Sequence, residues 1–566
     1  MYNFEPPCRE KTYSGDDNII NNIYYTMNKN YLAAIAASAL LMPSCTESNE
    51  LGLQVRTAAG VVEGTELDGG VKAYLGVPFA EAPVGELRWA APQPKQPWEG
   101  VLETKQFGAD PMQLPIFGDM AFRGQGFSED CLYLNVWTTA KTADDKLPVL
   151  IYFNGGGLMA GSGSEPRYDG AALAREGVIG VTANYREGIF GYFAHPELTA
   201  EASYHGSGNY GFLDQVAAVR WVKDNIAAFG GDPERITIVG ESAGSFSVSL
   251  LMVSPLSKDL IAGAMLSSGA QVLPSKAATQ AVADEQGAAL LASVGINSLT
   301  EARAIPADSL QQLLPPRGMS TVIMDGYFMA EQPDDIYARG EQSQVPLLAG
   351  WNSLEGVPGS PTVEGYKEQL RGRFGEMTDE IFEAYGILTD ADVMAAPGYT
   401  LAGDLFTGFG TWKVCDYHAR TTQQPVYRYK YNHARPQVSA KMGDMTGALA
   451  GGVREKTEEE KQQAPQIAPG AVHSADIEYA MGNLKTNEYY EWQPEDYEIS
   501  RIFLSYYANF CKTGNPNGEG LPQWTAINGN LDEAPVMQID VDTHEVASAA
   551  LENAYRTLEK FYRSQQ

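Results

Sequence analysis

Cysteine is scarce in this chain, five residues in 566, and no two of them stand at the spacing a zinc site uses. That excludes a cysteine-stapled scaffold and a zinc ribbon. Basic residues are also few. Forty Lys plus Arg face 71 Asp plus Glu, for a net charge of −31, so the basic footprint that nucleic-acid binding demands is missing. The acidity reads as a solvated surface, with a preference for cationic or neutral substrates as the alternative. Histidine is rarer than the length would suggest, with six residues, so chemistry that needs an imidazole has few places to find one. Pro/Ser-rich linkers, repeats and low-complexity runs are absent. A chain whose length alone would suggest several domains therefore reads as one large domain with long loops, from about residue 53 onward. At 44% apolar residues it has ample material for a core.

What is present is a series of short apolar runs separated by helical patterns. Lys72–Phe79 reads as a strand, Leu132–Trp137 alternates like one, and Val149–Phe153 and Val178–Ala183 are continuous apolar runs of the kind buried parallel strands show. Ile236–Val239, Ala264–Leu266, Val345–Leu348, Val426–Tyr431 and Val536–Ile539 supply five more, and Leu213–Phe229 carries helical spacing up to Gly230-Gly231. Strands alternating with helices imply an α/β fold, a large and mostly parallel sheet covered on both faces. Ligands then collect at the carboxyl ends of the strands.

At one such end Ile236–Val239 runs into Gly240-Glu241-Ser242-Ala243-Gly244. The pentapeptide alone is weak evidence, but a strand before it and a helix-compatible segment after it are the context of a nucleophile elbow. The two glycines are expected where a side chain would collide with the neighbouring strand and helix. A serine hydroxyl needs a base near neutral pH, and the base needs an acid to hold its tautomer. In α/β-hydrolases the order along the chain is serine, acid, histidine, which leaves His418, His433, His473 and His544. His473 sits on a glycine-preceded loop, Pro469-Gly470-Ala471-Val472-His473. The remaining histidines read as structural or surface residues. Glu355 lies next to Gly356 at the end of the strand Val345–Leu348, where an acid of such a triad belongs. The glycines that follow Phe153 read as a tight turn when taken alone. With the elbow present they read as an oxyanion loop.

Further motifs resemble those of the type-B carboxylesterases, which include the cholinesterases. Glu129-Asp130-Cys131-Leu132-Tyr133-Leu134-Asn135-Val136 is similar to one signature block of that family, and Gly240–Gly244 lies in the other. Asn184-Tyr185-Arg186, Gly230-Gly231-Asp232-Pro233, Ser254-Pro255-Leu256, His473-Ser474-Ala475 and Lys512-Thr513-Gly514-Asn515-Pro516-Asn517 follow in family order. The resemblance runs from about Thr57 to Tyr562. It implies an α/β-hydrolase fold and hydrolysis of small to medium acyl esters through an acyl-enzyme. It makes Ser242 the nucleophile, Glu355 the acid and His473 the base, with Gly156, Gly157 and Ala243 as the oxyanion hole, and it implies no metal and no organic cofactor. Arg88 with Glu129, and Arg186 with Asp214, resemble the family's structural ion pairs. Several positions depart from the pattern. Cys131 lacks the upstream cysteine it usually pairs with, so Cys131, Cys415 and Cys511 read as buried free thiols. Asn154 replaces the usual His or Tyr before the glycines, Leu158 the usual Phe after them, Glu187 an apolar residue and Leu354 an Asp. Two rival readings stand beside the esterase: a cholinesterase-like binding module that has lost catalysis, and a serine hydrolase of amide, carbamate or polysaccharide-linked acyl groups. The first is disfavoured because all three triad residues are present.

The ends carry their own signals. Met27 is followed by a short basic start, an apolar run from Tyr31 to Met42 that is too short to span a bilayer, and Pro43-Ser44-Cys45. This resembles a bacterial lipoprotein signal, with Cys45 as the lipidated residue; Met42 and Pro43 depart from the usual approach to that cysteine, and plain signal-peptidase cleavage or a buried N-terminal helix are the alternative readings. Residues 1–26 then read as an extension outside the protein proper, residues 27–45 as the signal and 46–566 as the exported domain, anchored in a bacterial envelope through lipid only. Within that domain residues 437–467 form an insertion that leads into the His473 loop and reads as a solvated loop or a flap.

Overall fold

The apolar runs become the strands of one eleven-stranded sheet. We describe a computed structural model covering residues 50–565, without 315–320, 450 and 463–466; the signal segment and Cys45 lie outside the described residues. The strands are β1 (Thr65–Leu67), β2 (Val71–Pro78), β3 (Tyr133–Thr138), β4 (Leu147–Phe153), β5 (Ile179–Ala183), β6 (Gly231–Glu241), β7 (Gly263–Ser267), β8 (Leu347–Asn352), β9 (Val426–Tyr431), β10 (Val536–Ile539) and β11 (His544–Val546). Their spatial order is β11-β10-β9-β8-β7-β6-β4-β5-β3-β2-β1. Every pairing from β5 across to β10 is parallel, and both edges are antiparallel.

The continuous apolar character of the central strands follows from burial on both faces. Along β4, Val149, Ile151 and Phe153 enter one core while Leu150 and Tyr152 enter another. In β6, Ile236 and Ile238 share the first core and Val239 the second. The first core is filled by helices such as α1 (Tyr210–Asn225), through Phe212, Val216, Val219 and Val222. The second is filled by α2 (Pro494–Thr513), through Ile499, Phe503 and Phe510. Two boundaries differ from the sequence reading. The strand expected to end at Leu348 continues to Asn352, because Gly350, Trp351 and Asn352 pair with β9. The alternation along Leu132–Trp137 does not mean a half-exposed strand: Asn135 is buried, and its side chain is satisfied by Gly76 N–H, the Gly163 carbonyl and the Thr182 hydroxyl. Cys131, Cys415 and Cys511 are buried free thiols, as read from the sequence.

Two ion pairs hold loops that lead to the strand ends. Arg88 meets Glu129 at 2.6 Å. Arg186, just beyond β5, grips Asp214 of α1 through two guanidinium nitrogens and its own N–H, all within 3.0 Å. The Asp214 side chain is fully buried and that of Arg186 is 3% exposed. Removing one partner from such a pair strands the other in low dielectric. Asp214→Ala should therefore destabilise the fold by about 3–5 kcal/mol, seen as a lower urea midpoint; an unchanged midpoint would contradict this account.

Candidate active site

At the carboxyl end of β6 the chain reverses into helix α3 (Ala243–Leu251). Ser242 stands in the turn with φ 53° and ψ −122°, a conformation that L residues adopt only under constraint, at a cost of order 1–3 kcal/mol. The constraint is close backbone approach. A Cβ on Gly240 would run into the backbone of Gly244, and a Cβ on Gly244 would run into the Phe153 carbonyl of β4. The Ser242 N–H donates to the Ser267 carbonyl of β7 at 2.9 Å, which pins the turn over the sheet.

The strand β8 and the loop around His473 bring the other groups. Leu354 N–H donates to the Ala471 carbonyl at 2.8 Å, and Ala471 N–H to the Ser353 hydroxyl at 3.0 Å, so the two loops hold each other. Glu355 Oε1 accepts from Asn352 N–H at 2.7 Å and from the Ser268 hydroxyl at 2.5 Å. Its Oε2 lies 2.5 Å from His473 Nδ1, and His473 Nε2 lies 2.9 Å from Ser242 Oγ. With Nδ1–H donating to Glu355, Nε2 is free to accept the serine proton. The Phe406 ring packs edge-on against the imidazole at 4.9 Å. Ser242 and His473 open on a cavity of about 370 Å³, with Phe117, Met120, Phe212, Phe246 and Val322 among its walls. Gly156, Gly157 and Ala243 line the same cavity. Their N–H groups donate to no acceptor among the described residues, and Gly156 and Gly157 have φ of 121° and 67°. A Cβ on Gly156 would strike the Ala160 carbonyl. The structure thus brings Ser242, His473 and Glu355 together and places Gly156, Gly157 and Ala243 along the same cavity.

The other histidines are elsewhere. His418 is buried with Nε2 2.8 Å from the Val345 carbonyl, and burial pushes it down to about 4. His433 is held by Asp496 and Asp540. His544 opens the edge strand β11.

Comparison with known proteins decides the family. The family model described as "Carboxylesterase family" matches residues 52–558. The fumonisin B1 esterase of Sphingopyxis macrogoltabida is 37% identical over 440 residues, covering 73% of this chain and 80% of that protein. Liver carboxylesterase 1 of Oryctolagus cuniculus is 34% identical over 517 residues, covering 81% and 84%. A solved PNB esterase superposes with a TM-score of 0.73 at 28% identity, covering 89% of this chain and 99% of that one. The chain belongs to the carboxylesterase family. It is a carboxylic ester hydrolase with the α/β-hydrolase fold.

Within this carboxylesterase, two of the unusual residues meet. Asn154 Nδ2 donates to Glu187 Oε1 at 3.1 Å and to the Gly155 carbonyl at 3.0 Å, while Tyr185 donates to the Asn154 carbonyl at 2.8 Å. The residue before the glycines and the one after Asn-Tyr-Arg therefore depart from the pattern as a contacting pair behind the oxyanion loop. Burial pushes the Glu187 carboxyl well above the usual carboxylate range. Residues without an assigned role in the sequence also gather here: Ser268 on Glu355, Phe406 on His473, and Glu241, whose Oε1 is 3.3 Å from His473 Nε2. Glu241 was visible as the second residue of the elbow motif. Phe406 carried no signal, since its approach depends on a π-helical turn, Asp404–Gly408.

Burial alone would lower the His473 pKa, but the Glu241 and Glu355 carboxylates beside the ring outweigh it and raise the group to about 9. Burial likewise raises Glu241 to about 8, opposed by the charge on His473, so the two titrate as a linked pair. A base must be neutral to accept a proton, so kcat/KM should fall as pH drops through this value. Glu241→Gln removes a neighbouring negative charge and should move the acid limb of the kcat/KM profile to lower pH by roughly one unit. An unmoved limb would show that Glu241 does not act on the base.

Proposed function

We propose that Ser242, His473 and Glu355 carry out the ester hydrolysis. The observation that carries this is the unbroken relay from Ser242 Oγ through the imidazole to Glu355, with contacts of 2.9 and 2.5 Å. Ser242 Oγ attacks the ester carbonyl as its proton passes to His473 Nε2, and Glu355 stabilises the imidazolium. The carbonyl oxygen gains negative charge, and the N–H groups of Gly156, Gly157 and Ala243, which line the same cavity, are its donors on this reading, Ala243 adding the amino end of α3. The imidazolium then protonates the departing alcohol. Water, deprotonated by the same histidine, releases the acid from the acyl-serine. The relay supplies its own nucleophile, so this chemistry calls for no metal or organic cofactor. The mainly apolar cavity supports small to medium acyl groups.

The segment from Met27 to Cys45 supports export and lipid attachment in a bacterial envelope; blocked lipoprotein processing in Cys45→Ala would be its signature. No helix among the described residues is long and apolar enough to cross a membrane.

Hydrolysis of p-nitrophenyl acetate, butyrate and octanoate tests the catalytic reading. Ser242→Ala should reduce kcat by about ten-thousand-fold or more, and the profile across the three esters should reflect the size of the acyl pocket. Equal rates for the native chain and the variant would overturn the assignment.

A further inference from the structure

Beside the triad the cavity wall holds a buried arginine that the hydrolytic relay does not use. Arg167 is the only Lys or Arg among the described residues that line this cavity, and its side chain is 5% exposed. Its Nε donates to Glu165 Oε1 at 2.5 Å, and its Nη1 reaches the Ser474 hydroxyl at 3.5 Å. Nη2 donates to no acceptor among the described residues and, unlike the orphaned Nη1 of Arg435 nearby, is not enclosed by protein atoms. Arg167 borders the cavity, and we assign this free donor to its wall.

The surroundings fix this guanidinium rather than let it swing into solvent. The insertion lies against it: a Cβ on Gly451 would come within 2.7 Å of Arg167 Nη1. Ser474, which follows the catalytic histidine, donates to the Leu449 carbonyl of the same insertion at 2.7 Å. Arg435 braces the loop from behind, with Nε and Nη2 on Glu478 and the same Nη2 on the Ser474 carbonyl. Leu449, Ser474 and His473 all border the same cavity as Arg167. Glu165 balances Arg167 and Glu478 balances Arg435, so the cluster needs no bound anion for stability. The unused donor is then free for recognition. A guanidinium presents its donors in a planar fork suited to carboxylate, and in a water-poor pocket such hydrogen bonds gain strength.

We propose that Arg167 is a specificity residue that takes a free carboxylate of the substrate, so that the preferred substrates are esters bearing a second, unesterified acid group, such as half-esters of dicarboxylic acids. This rests on the reading of Ser242, His473 and Glu355 as the hydrolytic site. The insertion 437–467 gains a role by the same argument, since its Gly451 lies against the guanidinium and its Leu449 holds Ser474 beside it.

The test is a ratio of kcat/KM values in the full chain. Mono-4-nitrophenyl adipate is compared with 4-nitrophenyl hexanoate for an acid on the acyl side, and 4-carboxyphenyl butyrate with phenyl butyrate for an acid on the alcohol side. One acid ester should exceed its neutral match by about tenfold or more, the size of a charge-assisted hydrogen bond. Because Arg167 removal alone would strand Glu165, the variant is Glu165→Gln with Arg167→Leu. In it the preference should vanish, while Arg167→Lys, which keeps charge but not the fork, should retain part of it. If neither acid ester is preferred by the native chain, or if the folded double variant keeps the preference, the proposal is overturned. Absence of hydrolysis of every ester, acid and neutral alike, by the folded chain would instead count against the triad reading, so the two failures are distinct.

Discussion

The site depends on one close approach of backbone to backbone. Where β6 meets α3, Gly244 lies against the Phe153 carbonyl and Gly240 lies against Gly244, each too near for a side chain. That contact lets the chain reverse within a single residue and holds Ser242 at φ 53°, with its hydroxyl clear of both elements. The flanking strands β4 and β7 make the reversal rigid. The first supplies the carbonyl that Gly244 packs on and continues into Gly155, Gly156 and Gly157; the second accepts the Ser242 N–H. Strain at one residue is sustained by a two-faced sheet whose central strands are almost wholly buried.

Electrostatics then sets how the site works in a protein of net charge −31. Most of that charge is solvated, but Glu241, Glu355 and Asp476 are buried near the imidazole. The three act differently. Glu355 orients the ring, and Glu241 biases its proton affinity. Asp476 accepts from Ser267 and Asn352 and so links β7 and β8 beneath the triad. Against these acids, Arg167 is the single Lys or Arg facing the cavity among the described residues, and it is itself held by Glu165.

Much of this was legible in the sequence, for physical reasons. A nucleophile elbow is local: strand, glycine, serine, glycine and helix are contiguous, and the steric demand falls on two named glycines. The oxyanion loop is local too. The choice of His473 and Glu355 came from scarcity and from their places beside glycines on loops, with the family resemblance adding residue roles. Contacts made by residues distant in the chain were not legible. Asn154 and Glu187 stood out as separate departures, and only folding shows them as hydrogen-bond partners. Phe406 reaches the imidazole because a helical turn widens there. Arg167 carried no signal, since nothing in its neighbours announces that Gly451 of the insertion, some 280 residues onward, would lie against it. The buried strand β3 looked amphipathic because a hydrogen-bonded interior Asn135 and a solvent-facing one leave the same trace in an alternating pattern.

The most direct measurement of the central claim is covalent trapping. A dialkyl fluorophosphate reacts with a serine activated as Ser242 is here, and peptide mass spectrometry locates the adduct. The account predicts one phosphoryl group per chain, on the peptide containing Ser242, formed in step with loss of esterase activity and absent in His473→Ala. An active, folded chain that loses activity with the label on another residue, or that takes up no label at all, would contradict it.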